Sequence, residues 1–176
     1  LEALAKAART LNPKCAVYLL EGNHEYRIQV TLDTHPEFKG LLEVPTLLGL
    51  ESLGIKWVKS WSESEVLYIA DMAFIHGWYT PKYHAMKHVL ELMHNVYTGH
   101  THDIQEVALP VLGRPPLVGK SLGCLCELRQ DYTRGRPRKW QHAFGVFYHW
   151  GMHHQEYTVK IVDGRFFAPN GKEYRL

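Results

Sequence analysis

Three short segments of this sequence place metal-ligand side chains directly after an apolar run. They read Leu20-Glu21-Gly22-Asn23-His24-Glu25, Phe74-Ile75-His76-Gly77 and Tyr97-Thr98-Gly99-His100-Thr101-His102. Imidazole nitrogens suit Zn, Cu, Fe and Ni ions, and carbonyl or carboxylate oxygens suit harder divalent ions. Because the loops at the carboxyl ends of strands in open α/β sheets converge on one crevice, we expect these segments to meet at a metal site.

The spacing of His100 and His102 indicates a pair of ligands. In extended backbone, residues i and i+2 point to the same side of the chain, about 6.6 to 7 Å apart. Two imidazoles placed in this way can reach two metal ions that lie about 3.5 to 4 Å apart. Gly99 would allow a close backbone approach or a positive φ. Asn23 offers a weaker, neutral oxygen ligand, whereas the adjacent His24 would point elsewhere and could face the substrate.

The ordered set of motifs resembles the calcineurin-like metallophosphoesterase family. Gly22-Asn23-His24-Glu25, the isolated His76 after a strand, and Gly99-His100-Thr101-His102 are similar to the last three motifs of that family, in the same order. The segments 120–125 and 140–145 resemble phage and bacterial members. The resemblance covers most of the chain, and it implies a metallophosphoesterase-like fold.

The resemblance implies metal-ligand roles for four residues. Asn23, His76 and His100 would ligate one ion, and His102 would ligate a second. The implied cofactors are divalent metal ions, two per complete site, and the ligand types leave Mn, Fe and Zn open.

Two further residues have roles implied by the same resemblance. His24 would contact the phosphate or protonate the leaving oxygen during in-line attack by a metal-activated water. Glu25 would orient His24 or cap the helix that follows. The implied substrate is a phosphoester, with nucleic acid as one candidate.

Two motifs of the family do not occur in this sequence. The family has Asp-x-His and Gly-Asp-x-x-Asp upstream, whereas the first aspartate here is Asp33. We therefore expect an N-terminal segment with these carboxylates, absent from the 176 residues, to belong to the same protein. A second chain could also complete the site. The function predicted is a metal-dependent phosphoester hydrolase, a phosphodiesterase or nuclease-like enzyme; the alternative is a non-catalytic binding or scaffold module of the same fold.

A basic segment at 129–139 leaves two interpretations open. It holds five basic residues and one acidic residue. Nucleic-acid backbone contacts are the first interpretation, with base stacking on a nearby aromatic ring, and a solvated hairpin loop is the second. The candidate contacts are Arg134, Arg136, Arg138 and Lys139.

Two other pairs have ligand-type spacing. His84 and His88 are four residues apart on a predicted helix and could bind a metal on its face, but we expect them to lie on a solvated face. Cys124 and Cys126 would share one face of a strand. Because no second cysteine pair accompanies them, we expect them to serve packing rather than zinc binding.

The elements that must position these residues follow from the hydrophobic pattern. Helices are predicted over 1–11, 24–32 and 83–93, with short helices and turns between 36 and 54. Strands are predicted over 15–20, 56–58, 66–70, 72–75, 95–98, 105–111, 117–120, 143–150, 157–162 and 165–168. A hairpin turn is predicted at Asp163-Gly164. This mixture predicts an α/β (α+β) fold, a layered β-sandwich flanked by helices, in a single domain over 1–176.

Composition limits the classes of partner and compartment. The chain has 45% hydrophobic and 22% charged residues, which is typical of a globular protein. Its net charge of +2 is too small to indicate a nucleic-acid partner by bulk electrostatics. No apolar run is long enough to span a bilayer, so no membrane partner is expected. Three cysteines without framework spacing favour a reducing, cytoplasmic setting. The sequence does not indicate an oligomeric state.

Overall fold

The computed structural model describes residues 1–130 and 138–175. The chain divides into two compact units, Leu1–Val66 and Leu67–Leu176, which we call the first and the second unit. The single domain over 1–176 stays a prediction. Within the described residues, the helices are all too short or too polar to cross a membrane.

The first unit combines helices with one pair of parallel strands. Its elements are α1 (Glu2–Leu11), β1 (Val17–Leu20), α2 (Asn23–Thr34), a 3₁₀ turn (Pro36–Phe38), α3 (Val44–Leu47) and β2 (Ile55–Val58). Strands β1 and β2 pair in register from Val17↔Ile55 to Leu20↔Val58. The helices predicted over 1–11 and 24–32 are confirmed, with α2 extending to Thr34.

A small apolar cluster holds the first unit together. Ala5 of α1 packs with Leu50 and Ile55, and Leu19 and Trp57 lie against them. The four residues of strand β1 are all apolar or aromatic, but each of them is only half-buried. Within the first unit, β1 pairs only with β2. An apolar run in the sequence therefore does not by itself indicate a fully buried strand.

The second unit is built around a mixed five-stranded sheet. Its elements are β3 (Leu67–Ile69), β4 (Met72–Phe74), α4 (His84–Leu92), β5 (Asn95–Thr98), β6 (Ile104–Val111), β7 (Arg114–Leu122), β8 (Ala143–Trp150), β9 (His153–Lys160), β10 (Arg165–Phe167) and β11 (Glu173–Arg175). The sheet order is β3-β4-β5-β7-β6. Strand β5 lies at its centre and runs parallel to both β4 and β7. Strands β3 and β6 pair antiparallel with β4 and β7.

Helix α4 covers one face of this sheet. Ala73, Val96, Gly119 and Val107 are neighbours across β4, β5, β7 and β6, so their side chains share a face. A Cβ built on Gly119 would lie 2.3 Å from the carbonyl oxygen of Ala85 in α4. Only glycine at position 119 therefore allows the helix backbone to lie this close to the sheet.

The β8–β9 hairpin covers the opposite face. Phe74, Tyr97 and Lys120 are the next row of neighbours across β4, β5 and β7. The ring of Phe147 packs edge-on against Phe74 and Tyr97, at centroid distances of 5.2 and 4.7 Å. Lys120 Nζ lies 2.6 Å from Glu156 of β9. A helix, a sheet and a hairpin thus form three layers.

The layered α/β architecture that the sequence predicts is confirmed in this unit. The predicted turn is also confirmed, since Asp163 and Gly164 have φ values of 48° and 71° between two residues that pair as a bridge. Strand β9 was predicted over 157–162 and lies earlier. Strand β11 was not predicted, because its three residues are all exposed and carry no apolar alternation.

Candidate metal centre

His76 and His100 come together at the ends of two adjacent parallel strands. His76 follows β4 and His100 follows β5. The amides of Gly99 and His100 both donate to the carbonyl oxygen of His76, at 3.0 and 2.9 Å. The rings meet with His76 Nε2 3.0 Å from His100 Nδ1. The expected convergence of these two strand ends is therefore observed.

This separation fits two imidazoles that share one metal ion. Metal–nitrogen bonds of about 2.0 to 2.1 Å, with angles between 90° and the tetrahedral value, place two ligand nitrogens about 2.9 to 3.4 Å apart. Both side chains are half-buried. Among the described residues of the second unit, no third His, Cys, Asp or Glu joins them in a group whose ligand atoms all lie within 4.8 Å of one another.

Gly77, rather than Gly99, is the glycine that this pair requires. Gly77 has a φ of 120°, and a Cβ there would lie 3.0 Å from the Cβ of His100. Gly99 does not take a positive φ, and a Cβ there would meet nothing within 4 Å. The role of Gly77 was not predicted, although its place directly after His76 was a usable signal.

The backbone around His102 is a turn, which corrects the extended geometry assumed for the His100 and His102 pair. The amide of His102 donates to the carbonyl of Gly99 at 3.3 Å, and His102 has a φ of 60°. Its ring packs edge-on against Trp140 at 4.6 Å between centroids. Its Nδ1 lies 3.7 Å from the Sγ of Cys126. The side chain of His102 thus lies against groups from the strand-rich tail.

Cys124 and Cys126 join His102 in a compact group. One ligand atom from each of the three residues lies within 4.8 Å of the other two. Burial, followed by the hydrogen bond and charge of Cys126, raises the pKa of the Cys124 thiol to about 11. Because the thiolate is the reactive form, Cys124 is unsuited to act as a nucleophile. The expectation that these cysteines serve packing alone is incomplete, since it did not include His102.

His84 and His88 lie in the core, so the solvated face expected for them is wrong. Only 3% of His84 and 1% of His88 are exposed. His84 Nε2 lies 3.2 Å from the carboxylate of Asp103. His88 Nε2 accepts hydrogen bonds from the amides of Trp78 and Tyr79, at 2.9 and 3.1 Å. Their burial follows from the close packing of α4 on the sheet, which no local sequence pattern reveals.

The electrostatics of this buried cluster keep one carboxylate ionised and one imidazole neutral. Although burial opposes it, hydrogen bonds from Thr101 and His84 lower the pKa of Asp103 below its ordinary value. Burial, followed by the charge of His84, lowers the pKa of His88 to about 4. His88 is therefore neutral at pH 7 and holds the turn that follows His76.

The first unit holds Asn23, His24 and Glu25 in the first turn of α2. His24 is exposed, and Asn23 is half-buried. The Oε2 of Glu25 accepts a hydrogen bond from the amide of Gly22 at 2.9 Å. Glu25 therefore caps helix α2, which is one of the two roles expected for it. The metal-ligand role of Asn23 and the catalytic role of His24 stay predictions.

Two of the four candidate nucleic-acid contacts in the basic segment lie within the described residues. Arg134 and Arg136 lie outside the described residues. Arg138 and Lys139 are exposed. Together with Trp140 they line a shallow cleft of about 390 Å³ in the second unit. Nucleic-acid contact by these four residues stays a prediction.

Comparisons with known proteins define neither a family nor an activity. No protein-family model matches the sequence. No curated protein matches it significantly. Among solved structures, the crystal structure of a Vps29 double mutant from Entamoeba histolytica matches with 16% sequence identity and a TM-score of 0.37, over 72% of this chain and 72% of that chain. A likeness at this level carries no functional assignment.

Proposed function

We propose that this protein is a divalent-metal-dependent phosphoester hydrolase in which His76 and His100 ligate one ion of a two-metal centre. The observation that carries the proposal is the 3.0 Å separation of His76 Nε2 and His100 Nδ1 at the ends of neighbouring parallel strands. The family resemblance of the motifs supports the same role. Mn²⁺, Fe²⁺ and Zn²⁺ are the candidate ions.

The residues of this chain have separate tasks in the proposed reaction. His76 and His100 hold the ion, which when bound lowers the pKa of water and neutralises charge on phosphoryl oxygens. Gly77 allows the two histidines to approach. His88 fixes the turn after His76 through two backbone amides. His24, which is exposed on the first turn of α2, would donate a proton to the leaving oxygen.

A phosphodiester is the substrate class we propose. Arg138 and Lys139 are exposed beside Trp140. Two cations next to an indole ring suit a phosphate backbone with an unstacked base. Weaker nucleic-acid hydrolysis at higher salt, with unchanged hydrolysis of a small phosphodiester, would support this substrate class.

The test is hydrolysis of bis(p-nitrophenyl) phosphate with added Mn²⁺, using the protein expressed from its full reading frame. His76→Ala and His100→Ala should each lower kcat/KM by more than about 100-fold, because each removes a direct metal ligand. His149→Ala is the matched control, since His149 is an exposed histidine on β8, and it should leave the rate within about twofold. Activity that survives both ligand substitutions together would overturn the proposal.

The second candidate is a metal-binding module without hydrolytic activity. It is favoured because, among the described residues of the second unit, no third His, Cys, Asp or Glu places a ligand atom within 4.8 Å of the ligand atoms of both His76 and His100. A two-metal hydrolase requires carboxylates that bridge or hold the second ion. Mn²⁺ binding that depends on both histidines, without hydrolysis of any phosphoester tested, would favour this module over the enzyme.

A further inference from the structure

Two separate loops bring His102, Cys124 and Cys126 to one place in the second unit. His102 follows β5, whereas Cys124 and Cys126 follow β7 and its terminal glycine. The segment between His102 and Cys124 contains the β6–β7 hairpin, which returns the chain to the same end of the sheet. The sheet topology therefore creates a ligand group that is not visible as a linear motif.

The backbone holds this group in place by a continuous set of hydrogen bonds. The carbonyl of His102 accepts from the amide of Gln141 at 2.9 Å, and the amide of Cys124 donates to the carbonyl of Gln141 at 3.0 Å. Gln141 thus joins the histidine loop to the cysteine loop. His142 Nε2 lies 2.8 Å from the carbonyl oxygen of Cys126, which fixes the end of that loop.

Gly123 permits the close approach of these backbones. It has a φ of 76°, and a Cβ at this position would lie 2.6 Å from the carbonyl oxygen of Gln141. His102 also has a left-handed φ of 60°, which is unusual for a residue with a side chain and costs on the order of 1 kcal/mol. In this conformation its Nδ1 faces the Sγ of Cys126.

The distances match the edges of a tetrahedral metal site. Bonds of about 2.3 Å to sulfur and about 2.05 Å to nitrogen give tetrahedral edges of about 3.8 Å between two sulfurs and about 3.6 Å between sulfur and nitrogen. The observed distance from Cys126 Sγ to His102 Nδ1 is 3.7 Å. All three ligand atoms lie within 4.8 Å of one another. Side-chain shifts of about 1 Å would bring them to the distances of a tetrahedral zinc site.

We propose that His102 Nδ1 and the Sγ atoms of Cys124 and Cys126 form a zinc site with an open fourth position. The ligand set of one imidazole and two thiolates selects borderline-soft ions over Mg²⁺ or Mn²⁺. No fourth His, Cys, Asp or Glu of the described residues belongs to the group. Three protein ligands with one remaining position is the pattern of zinc sites that bind water or a substrate.

This assignment is independent of the proposed phosphoesterase activity and changes the role of His102. The family resemblance places His102 on the second ion of a two-metal centre. In the structure, its Nδ1 faces a thiol, and the His76–His100 pair is a separate group. The two sites also differ in chemistry, because one offers nitrogen ligands and the other offers mainly sulfur.

The test is titration of the reduced, metal-free protein with Co²⁺, followed by displacement with Zn²⁺. Wild type should develop a thiolate-to-cobalt charge-transfer band at one equivalent, and Zn²⁺ should abolish it. Cys124→Ser and Cys126→Ser should each remove the band and weaken Zn²⁺ binding by more than about 100-fold. Loss of a residue that only hydrogen-bonds to a metal ligand already lowers metal affinity by about 10- to 100-fold, and loss of a direct ligand should cost more. Cys15→Ser, which changes a cysteine of the first unit, should retain the band.

Two further measurements separate this proposal from the proposed function. The double variant with His76→Ala and His100→Ala should retain the charge-transfer band, even if it loses all hydrolysis. In wild type, Zn²⁺ should protect Cys124 and Cys126, but not Cys15, against alkylation by iodoacetamide. The absence of a charge-transfer band in wild type, or its persistence in both cysteine variants, would overturn the zinc site. Equal alkylation of all three cysteines with and without Zn²⁺ would also overturn it, without the need for a variant.

Discussion

The histidines at the strand ends and those on helix α4 have opposite environments. His76 and His100 are half-buried, and their ring nitrogens face each other. His84 and His88 are almost fully buried, and their bonded nitrogens contact a carboxylate and two backbone amides. The first pair is the one that we propose as metal ligands. The second pair positions the neighbouring loops through its hydrogen bonds to Asp103 and to the amides of Trp78 and Tyr79.

The difference shows that side-chain type and spacing do not separate a ligand from a structural histidine. His84 and His88 have helical metal-ligand spacing, yet the close contact of α4 with the sheet places them in the core. His76 and His100 are 24 residues apart in sequence, and the parallel pairing of β4 with β5 brings them together. The surrounding backbone decides which histidine is available for an ion.

The largest expected effect comes from forcing α4 away from the sheet. Gly119→Ala should lower the free energy of unfolding by more than about 3 kcal/mol, because the added methyl would lie 2.3 Å from the Ala85 carbonyl oxygen. Urea denaturation followed by circular dichroism measures the loss. Gly99→Ala is the control, since its Cβ meets nothing within 4 Å, and it should change stability by less than about 0.5 kcal/mol. Equal stability of the two variants would contradict the direct contact of α4 with β7.

Replacing one histidine from each pair should give the next largest difference. His88→Ala should cost about 2 to 4 kcal/mol, because it leaves a cavity and removes the acceptor of the Trp78 and Tyr79 amides. His100→Ala should cost less than about 1 kcal/mol in the absence of metal, since His100 is only half-buried. Parallel urea titrations of the two metal-free variants measure the comparison. A larger loss for His100→Ala would reverse the structural and ligand roles.

A smaller effect should appear in the dependence of stability on pH. Burial lowers the pKa of His88 to about 4, below the unfolded value of about 6.5. Between these pH values the unfolded chain binds the additional proton, so stability is complete above pH 6.5 and decreases as the pH falls towards 4. The contribution is on the order of 2 kcal/mol. Thermal unfolding of wild type and His88→Gln between pH 7 and 4.5 tests it, and an identical pH slope for both would contradict the assignment.

Much of the fold was predictable because local patterns determine most of its elements. The strand over 95–98 was predicted with its observed limits, and so was the strand over 143–150. The turn at Asp163 and Gly164 follows from the ability of these residues to take positive φ. Strand β9 begins earlier than predicted, because pairing with β8 extends it through His153 and His154, which carry no apolar pattern of their own.

The candidate site was predictable in its residues but not in its grouping. The convergence of His76 and His100 follows from the general geometry of parallel strands. The turn at His102 does not, because it depends on a backbone hydrogen bond to Gly99 that the sequence does not indicate. The group of His102 with Cys124 and Cys126 depends on the pairing of β6 with β7 and on Gln141, which follows both cysteines in the sequence. Tertiary contacts therefore place His102 beside two cysteines that are not part of its motif.

The most direct test of the central claim is calorimetric titration of the metal-free protein with Mn²⁺. Wild type and the His149→Ala control should bind Mn²⁺ with equal affinity. His76→Ala and His100→Ala should each weaken that binding by more than about tenfold, because each removes one of the two nitrogens that lie 3.0 Å apart. Binding of Mn²⁺ with unchanged affinity in all four proteins, or no binding by wild type, would contradict the assignment of His76 and His100 as a shared metal site.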